Sequence, residues 1–177
     1  VQDNLKKLTL NDYQVIQPAV GFLACRDEGA GKLPKEEELL EYILKEIACE
    51  KDMKGLRVLV TAGPTMEAMD PVRYITNHST GKMGYAIARN CMLRGADVTL
   101  VTGQTSIEKP RFVNIVPIES AREMFEEVTG RAPEQDIIIK AAAVADYRPA
   151  KVSDEKVKKS DGQMSIELER TDDILKF

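Results

Sequence analysis

The sequence predicts an α/β fold: a parallel sheet built from βαβ units, with crossover helices forming the outer layers. Three observations carry that expectation. Short runs rich in Val and Ile recur at residues 57–60, 97–101, 113–118 and 136–139, each close to Gly, Pro or Asp. Such runs read as strands buried on both faces, as parallel strands are. Stretches of helical period lie between the first and second runs and between the third and fourth. The right-handed crossover rule then brings the carboxyl ends of the strands to one edge, where sheets of this kind bind ligands.

Taken in order, a first block runs to about residue 50 and a second begins after a charged linker at 51–54. In the first, residues 13–16 are a strand candidate ending at Pro18, and a Gly-bearing loop follows over 21–32. Leu39, Leu40, Ile43, Leu44 and Ile47 share one helical stripe and predict a helix over 35–48. One helix and one strand in roughly fifty residues bury little surface alone. This block is therefore expected to pack on something else or to be the end of a neighbouring domain. In the second block, the strand at 57–60 feeds a loop at Thr61, Ala62, Gly63 and Pro64. Met83, Ile87 and Cys91 recur on one face of a helix ending near Gly95. Ser120 and Glu123 form a capping box that opens a helix to about Thr129. The fourth strand runs into Ala141, Ala142 and Ala143. This is the three-layer, Rossmann-like class.

Composition narrows the function. The chain has 177 residues, 43% of them apolar, with 25 basic against 29 acidic side chains and a net charge of −4. A nucleic-acid binder normally carries a basic excess, and aromatic stacking platforms are scarce here, with no Trp. No apolar run approaches the roughly 18 residues of a membrane span, and the early residues do not frame a signal peptide. Cys25, Cys49, Cys91 and the single histidine, His78, lack the spacing of a metal site or a disulfide framework, so reduced thiols in a cytoplasmic protein are expected. The chain opens on Val1 and stops at Phe177 just after an apolar turn, and is expected to be a fragment.

The most informative stretch is the connection from residue 63 to residue 84. Strand-to-helix loops usually take about 2–6 residues, so one this long is expected to be functional. Its end, Ser79, Thr80, Gly81 and Lys82, opens a helix with two hydroxyls and a glycine, where free N–H groups and the helix dipole suit a phosphate. An ordinary Ser/Thr N-cap explains the same residues equally well. A P-loop is excluded because Met83 follows Lys82 where Ser or Thr is needed. A dinucleotide fingerprint is disfavoured because the second strand ends in Gly103 and Gln104 rather than an acid. Arg73, Asn77 and Lys82, with Lys156, Lys158 and Lys159 after the fourth strand, could together surround a polyanionic substrate. Asp146 could accept from a ribose or help hold Mg²⁺, and His78 reads best as a loop hydrogen-bonder.

Several ordered motifs carry a resemblance. They are Thr61-Ala62-Gly63-Pro64-Thr65, Asp70-Pro71-Val72-Arg73-Tyr74-Ile75, Asn77-His78-Ser79, Gly81-Lys82-Met83-Gly84, Ala142-Ala143-Val144-Ala145-Asp146-Tyr147 and Lys156-Val157-Lys158-Lys159. Together they resemble phosphopantothenoylcysteine synthetase, usually the C-terminal half of the bifunctional coenzyme A biosynthesis flavoprotein. In the first block Val1-Gln2, Asn4-Leu5, Gly21, Leu23-Ala24-Cys25 and Gly29-Ala30-Gly31 resemble the tail of the decarboxylase half of that protein, so the resemblance covers nearly the whole chain. It implies a decarboxylase remnant with substrate flap and helix over 1–50, a linker at 51–54, and a synthetase domain over 55–177 that is incomplete at its C-terminus. It implies activation of phosphopantothenate by CTP with Mg²⁺ to an acyl-cytidylate, from which the cysteine amine displaces CMP.

By resemblance, Asn77 holds the acyl group, Arg73 shapes the same loop, and Lys156 binds nucleotide phosphate. Ala141, Ala142 and Asp146 contact the nucleotide, and the backbone of Asp172, Asp173, Ile174 and Leu175 meets its base. Gly63, with Ser79, Thr80, Gly81 and Lys82, is expected at the phosphate or substrate. Cys25 matches the decarboxylase's catalytic acid, but FMN and its binding core belong to the parent decarboxylase domain and not to this chain. A homodimer through the synthetase domain is also implied. Arg26 and Lys32 stand where the family has Gly and Arg, and Thr171 and Asp172 stand where it has Asn and Pro. The polar segment 151–162 is expected to be a lid ordered by a triphosphate. The rival readings are an NAD(P)-binding oxidoreductase domain and a nucleotide-binding module without turnover.

Overall fold

A computed structural model describes residues 2–158 and 163–176. The expected lysine at 159 and the end of the 151–162 segment, 159–162, lie outside the described residues. The chain falls into two compact units divided between Cys49 and Glu50.

The first unit contains helix α1 (Gln2–Leu10), strands β1 (Ala19–Phe22) and β2 (Glu28–Lys32), and helix α2 (Glu36–Ile47). This unit departs from expectation in two places. Residues 13–16 are not a strand. The strand begins after Pro18, and the supposed loop is an antiparallel hairpin with Gly21 opposite Gly29. Proline lacks the N–H that a ladder needs but can stand ahead of a strand, so it marks an entrance where an end was read. Helix α1 was missed because it is mostly polar and buries no residue. Cys25 lies exposed at the hairpin tip, where the Leu23 N–H donates to the Asp27 carbonyl at 2.9 Å. Next to it Arg26 takes φ 69°, the left-handed conformation that glycine adopts without strain. Helix α2 forms as expected, with none of its residues buried.

The second unit is built on β3 (Arg57–Ala62), β6 (Asp97–Thr102), β7 (Asn114–Pro117) and β8 (Ile137–Lys140). Between β3 and β6 lie a hairpin, β4 (Met66–Ala68) with β5 (Tyr74–Thr76), and helix α3 (Lys82–Leu93). Helix α4 (Ala121–Arg131) joins β7 to β8, and β9 (Tyr147–Pro149) pairs with β10 (Leu168–Arg170). The four main strands are parallel in the order β7-β6-β3-β8. In chain order that is third, second, first, fourth, the order of a Rossmann half, and it reverses between β3 and β8. Alternation along β3 puts Leu59 with Val101, Met124 and Val128, on the face covered by α4. Val58 and Val60, wholly buried, face the other way, and α3 packs on β3 and β6. The sheet is thus flanked by helices, as the sequence predicts.

The buried face of α3 differs from the expected one. Cys91 is buried, but Met83 is 71% exposed, and the core face is Gly84, Tyr85, Ala88, Cys91 and Met92. A Cβ on Gly84 would lie 2.5 Å from that of Ala62. Close approach of helix to strand selects small residues here, so the large apolar side chains were a poor guide to the face.

Candidate active site

The carboxyl ends of β3 and β8 meet at the point where the strand order reverses. Short hydroxyl side chains knit them together. Thr61 Oγ1 accepts from the N–H groups of Ala141 and Ala142, both at 3.2 Å. The Gly63 carbonyl accepts from Ala143 at 2.8 Å, and Thr65 Oγ1 accepts from Ala145 at 3.0 Å. From the far side, the Thr171 hydroxyl donates to the Ala145 carbonyl at 2.6 Å and its N–H to that of Asp146 at 3.1 Å. Thr171 therefore still anchors the turn in which the resemblance expected Asn. Each tie satisfies a backbone group that leaves the regular ladder, so the run from Ala141 to Asp146 is held without large side chains.

The small residues leave space. A cavity of about 780 Å³ brings together Asp146, Asp172, Asp173, Ile174 and Leu175 with Lys140, Tyr147 and Arg170. The Leu175 N–H donates to Asp173 Oδ1 at 2.9 Å, closing an Asx turn that shapes this wall. Ile174 also belongs to the core cluster with Leu59 and Met124, and so anchors the wall to the sheet, whereas Leu175 is 78% exposed. Arg170 and Tyr147 form a cross-strand pair, and the Tyr147 hydroxyl favours the charged guanidinium.

A second cavity, of about 570 Å³, holds Asn77, Ser79 and Thr80 with Tyr74, His78 and Thr105. Asn77 joins the two: its Nδ2 donates to the carbonyls of Ala143 and Val144, both at 3.2 Å. Both amide hydrogens are thereby used, and Oδ1 remains as an acceptor. Gly63 and Gly81 lie back to back at φ 73° and 74°, and a Cβ on Gly81 would stand 3.3 Å from Gly63 Cα. Gly81, not Ser or Thr, is the N-cap of α3, and no side chain caps it; Ser79 Oγ instead accepts from the Gly81 N–H at 3.3 Å.

Of the other expected residues, Arg73, Lys156, Gly63, Gly81, Lys82, Ala141 and Ala142 line neither cavity. Ala141, Ala142 and Gly63 are held at the strand ends by backbone hydrogen bonds. Arg73 is committed to Asp70: Nε donates to Asp70 Oδ2 at 3.0 Å, and Nη2 donates to the same oxygen and to the Val157 carbonyl at 2.7 Å. The guanidinium holds the Asp70 carboxyl well below the usual carboxylate range. The segment read as a mobile lid is tied in its described part, because Val157 is gripped by this pair and the Ser153 N–H donates to the Met69 carbonyl at 3.0 Å. The sequence reading assigns no role to Thr61, Thr65, Thr171 or Asp70, each of which has at least one partner far along the chain. Cys25 belongs to the first unit. Among the described residues no group of three His, Cys, Asp or Glu side chains comes together to hold a metal ion, and no helix is long and apolar enough to cross a membrane.

The chain is 44% identical over 174 residues to the coenzyme A biosynthesis bifunctional protein CoaBC of Haemophilus influenzae, covering 98% of this chain and 44% of that protein. It is 45% identical to the CoaBC of Bacillus subtilis over 179 residues, 99% of this chain and again 44% of the relative. The chain thus spans less than half the length of these relatives. A crystal structure of a CoaBC C-terminal domain superposes with a TM-score of 0.61 at 50% identity, over 70% of this chain and 58% of that one. Residues 53–177 match the model of the DNA/pantothenate metabolism flavoprotein C-terminal domain, and the chain belongs to that family.

Proposed function

We propose that this chain is the ligase part of a coenzyme A biosynthesis enzyme, joining phosphopantothenate to cysteine at the expense of CTP. One observation carries the reading: Asn77 bridges two adjoining cavities, one walled by Asp146 and the 172–175 turn and the other by Ser79 and Thr80. The first cavity takes the nucleotide and the second takes substrate or phosphate near the uncapped α3 N-terminus. A carboxylate oxygen of phosphopantothenate attacks the α-phosphorus and pyrophosphate leaves. The cysteine amine then attacks the acyl carbon, CMP leaves, the amine gives up a proton, and an amide forms.

Charge neutralisation at the phosphates is the main demand of the first step. Lys156 meets part of it. Mg²⁺ would arrive on the nucleotide phosphates, with Asp146 the nearest fit for a single carboxylate ligand, since Mg²⁺ usually uses one or two carboxylates and substrate oxygens. Asn77 orients the acyl group. Donation from its Nδ2 to an acyl oxygen requires one of its two carbonyl bonds to open, whereas Oδ1 can accept from the incoming amine at once. The first unit is proposed as the tail of a decarboxylase whose FMN lies outside this chain, with Cys25 on its flap, and the ligase part as a homodimer.

The test is pyrophosphate release from CTP, with ATP as comparator, in the presence of phosphopantothenate and before cysteine is added. Release only with phosphopantothenate present supports the reading. Nucleotide binding with no release would replace it with a non-catalytic module, and tight NADPH binding with no CTP binding would replace it with an oxidoreductase.

A further inference from the structure

The segment carrying Lys156 has few apolar groups, and yet its backbone is held at a definite place. Val157 explains how. Its N–H donates to Asp70 Oδ2 at 3.1 Å, and its carbonyl accepts from Arg73 Nη2 at 2.7 Å. Asp70 and Arg73 thus read one residue of the segment on both its main-chain polar groups, as a neighbouring strand would.

The Asp70 side chain is fully buried and its two oxygens have separate tasks. Oδ1 accepts from the N–H groups of Val72 and Arg73, at 2.9 and 2.8 Å, and so closes the turn between β4 and β5. Oδ2 takes the Arg73 guanidinium and the Val157 N–H. One face of the carboxylate builds the hairpin and the other fastens the lysine segment to it. The same hairpin leads into Asn77, whose amide is bonded across to Ala143 and Val144.

We propose that Asp70 is a positioning residue of the ligase reaction: with Arg73 it clasps Val157 and so places Lys156 in the frame that also holds Asn77. The proposal rests on the reading of Lys156 as a nucleotide-phosphate ligand. A charge displaced by about 1 Å from its working place can cost on the order of 10²-fold in rate. Burial of the carboxylate among five donors is what keeps that displacement small.

Asp70→Ser tests it in the full-length protein. A serine hydroxyl can still accept from the turn amides but reaches neither the guanidinium nor Val157. Amide exchange at Val157 should accelerate while Val72 and Arg73 keep their protection, and pyrophosphate release from CTP should slow by on the order of 10²-fold. The decisive comparison is a double-mutant cycle with Lys156→Gln. If Asp70 acts through Lys156, Asp70→Ser adds less than about threefold in the Lys156→Gln background. Full multiplication of the two effects, or unchanged exchange at Val157, overturns the proposal. Should Asp70→Ser fail to fold, Arg73→Lys carries the same test, because it keeps the charge opposite Asp70 but loses the arm that reaches the Val157 carbonyl. Lys156→Gln alone leaving pyrophosphate release at the wild-type rate overturns the reading of Lys156, while exchange at Val157 still reports separately on the clasp.

Discussion

The two helices that cover the sheet begin in opposite ways. At α4 the protein seals its own helix end: Ser120 Oγ accepts from the Glu123 N–H at 3.2 Å, and Glu123 reaches back to the Glu119 N–H at 2.7 Å. Glu67, buried in the β4–β5 hairpin, adds a second carboxylate on the Ala121 N–H at 2.9 Å. At α3 the cap is Gly81, with no side chain hydrogen-bonded as a cap and no acid in the first turn. Both ends carry the same partial positive charge, and only one is neutralised from within. The difference teaches that α4 is stabilised at its end by the protein's own side chains, whereas α3, which follows Ser79 and Thr80 of the second cavity, begins without a side-chain cap.

Substitutions at the two ends should therefore separate stability from binding. The largest effect is expected for Glu67→Ala, which leaves the buried Ala121 N–H without its acceptor and opens a void. Chemical denaturation should show a loss of about 2–3 kcal/mol, with Glu67→Gln recovering most of it because an amide oxygen still accepts. Ser120→Ala comes next, at about 1 kcal/mol in the same measurement, with CTP affinity unchanged. Thr80→Ala should reverse the pattern: its stability stays within about 0.5 kcal/mol of the parent. Titration with CTP and with phosphopantothenate should show affinity for the ligand whose phosphate sits there falling by about tenfold, the value of a lost hydrogen bond to a charged group. If Thr80→Ala and Ser120→Ala behave alike in both measurements, the contrast between the two helix ends is not functional.

The smallest effect at neutral pH concerns the Asp70 clasp. Its carboxyl is depressed below the ordinary 3.8 chiefly by the Arg73 side-chain bond, so its contribution is fully present above about pH 4 and is lost as pH falls through the depressed value. Protection of the Val157 amide, corrected for intrinsic exchange, should be flat from pH 7 to pH 5 and decline only below about pH 4. A decline near pH 6 would point to another group.

The four sheet strands and the capping box at Ser120 were legible because their signals are local. Val and Ile recur within each strand, and Ser and Glu stand three residues apart at α4. The site was legible only in part. Asn77 and Asp146 stood out from their places in loops after the strands, the 172–175 turn entered through motif resemblance, and the structure brings them to one edge, while Ala141, Ala142, Gly63 and Gly81 take part through backbone that no side-chain chemistry announces. Hairpins of three-residue strands, β4–β5 and β9–β10, are too short for a period-two pattern to register.

What the sequence alone determined is the order of the four sheet strands and of helices α2, α3 and α4, with the chemistry available at their ends, since both follow from residues within a few positions of one another. Only the tertiary structure decided which groups meet. Thr61 finds Ala141, Asn77 finds Ala143, and Asp70 finds Val157, across 80, 66 and 87 positions of chain. Such bonds depend on the crossover that lays β8 beside β3. Once that register exists, any polar backbone group leaving the ladder must find a partner or be left buried without one.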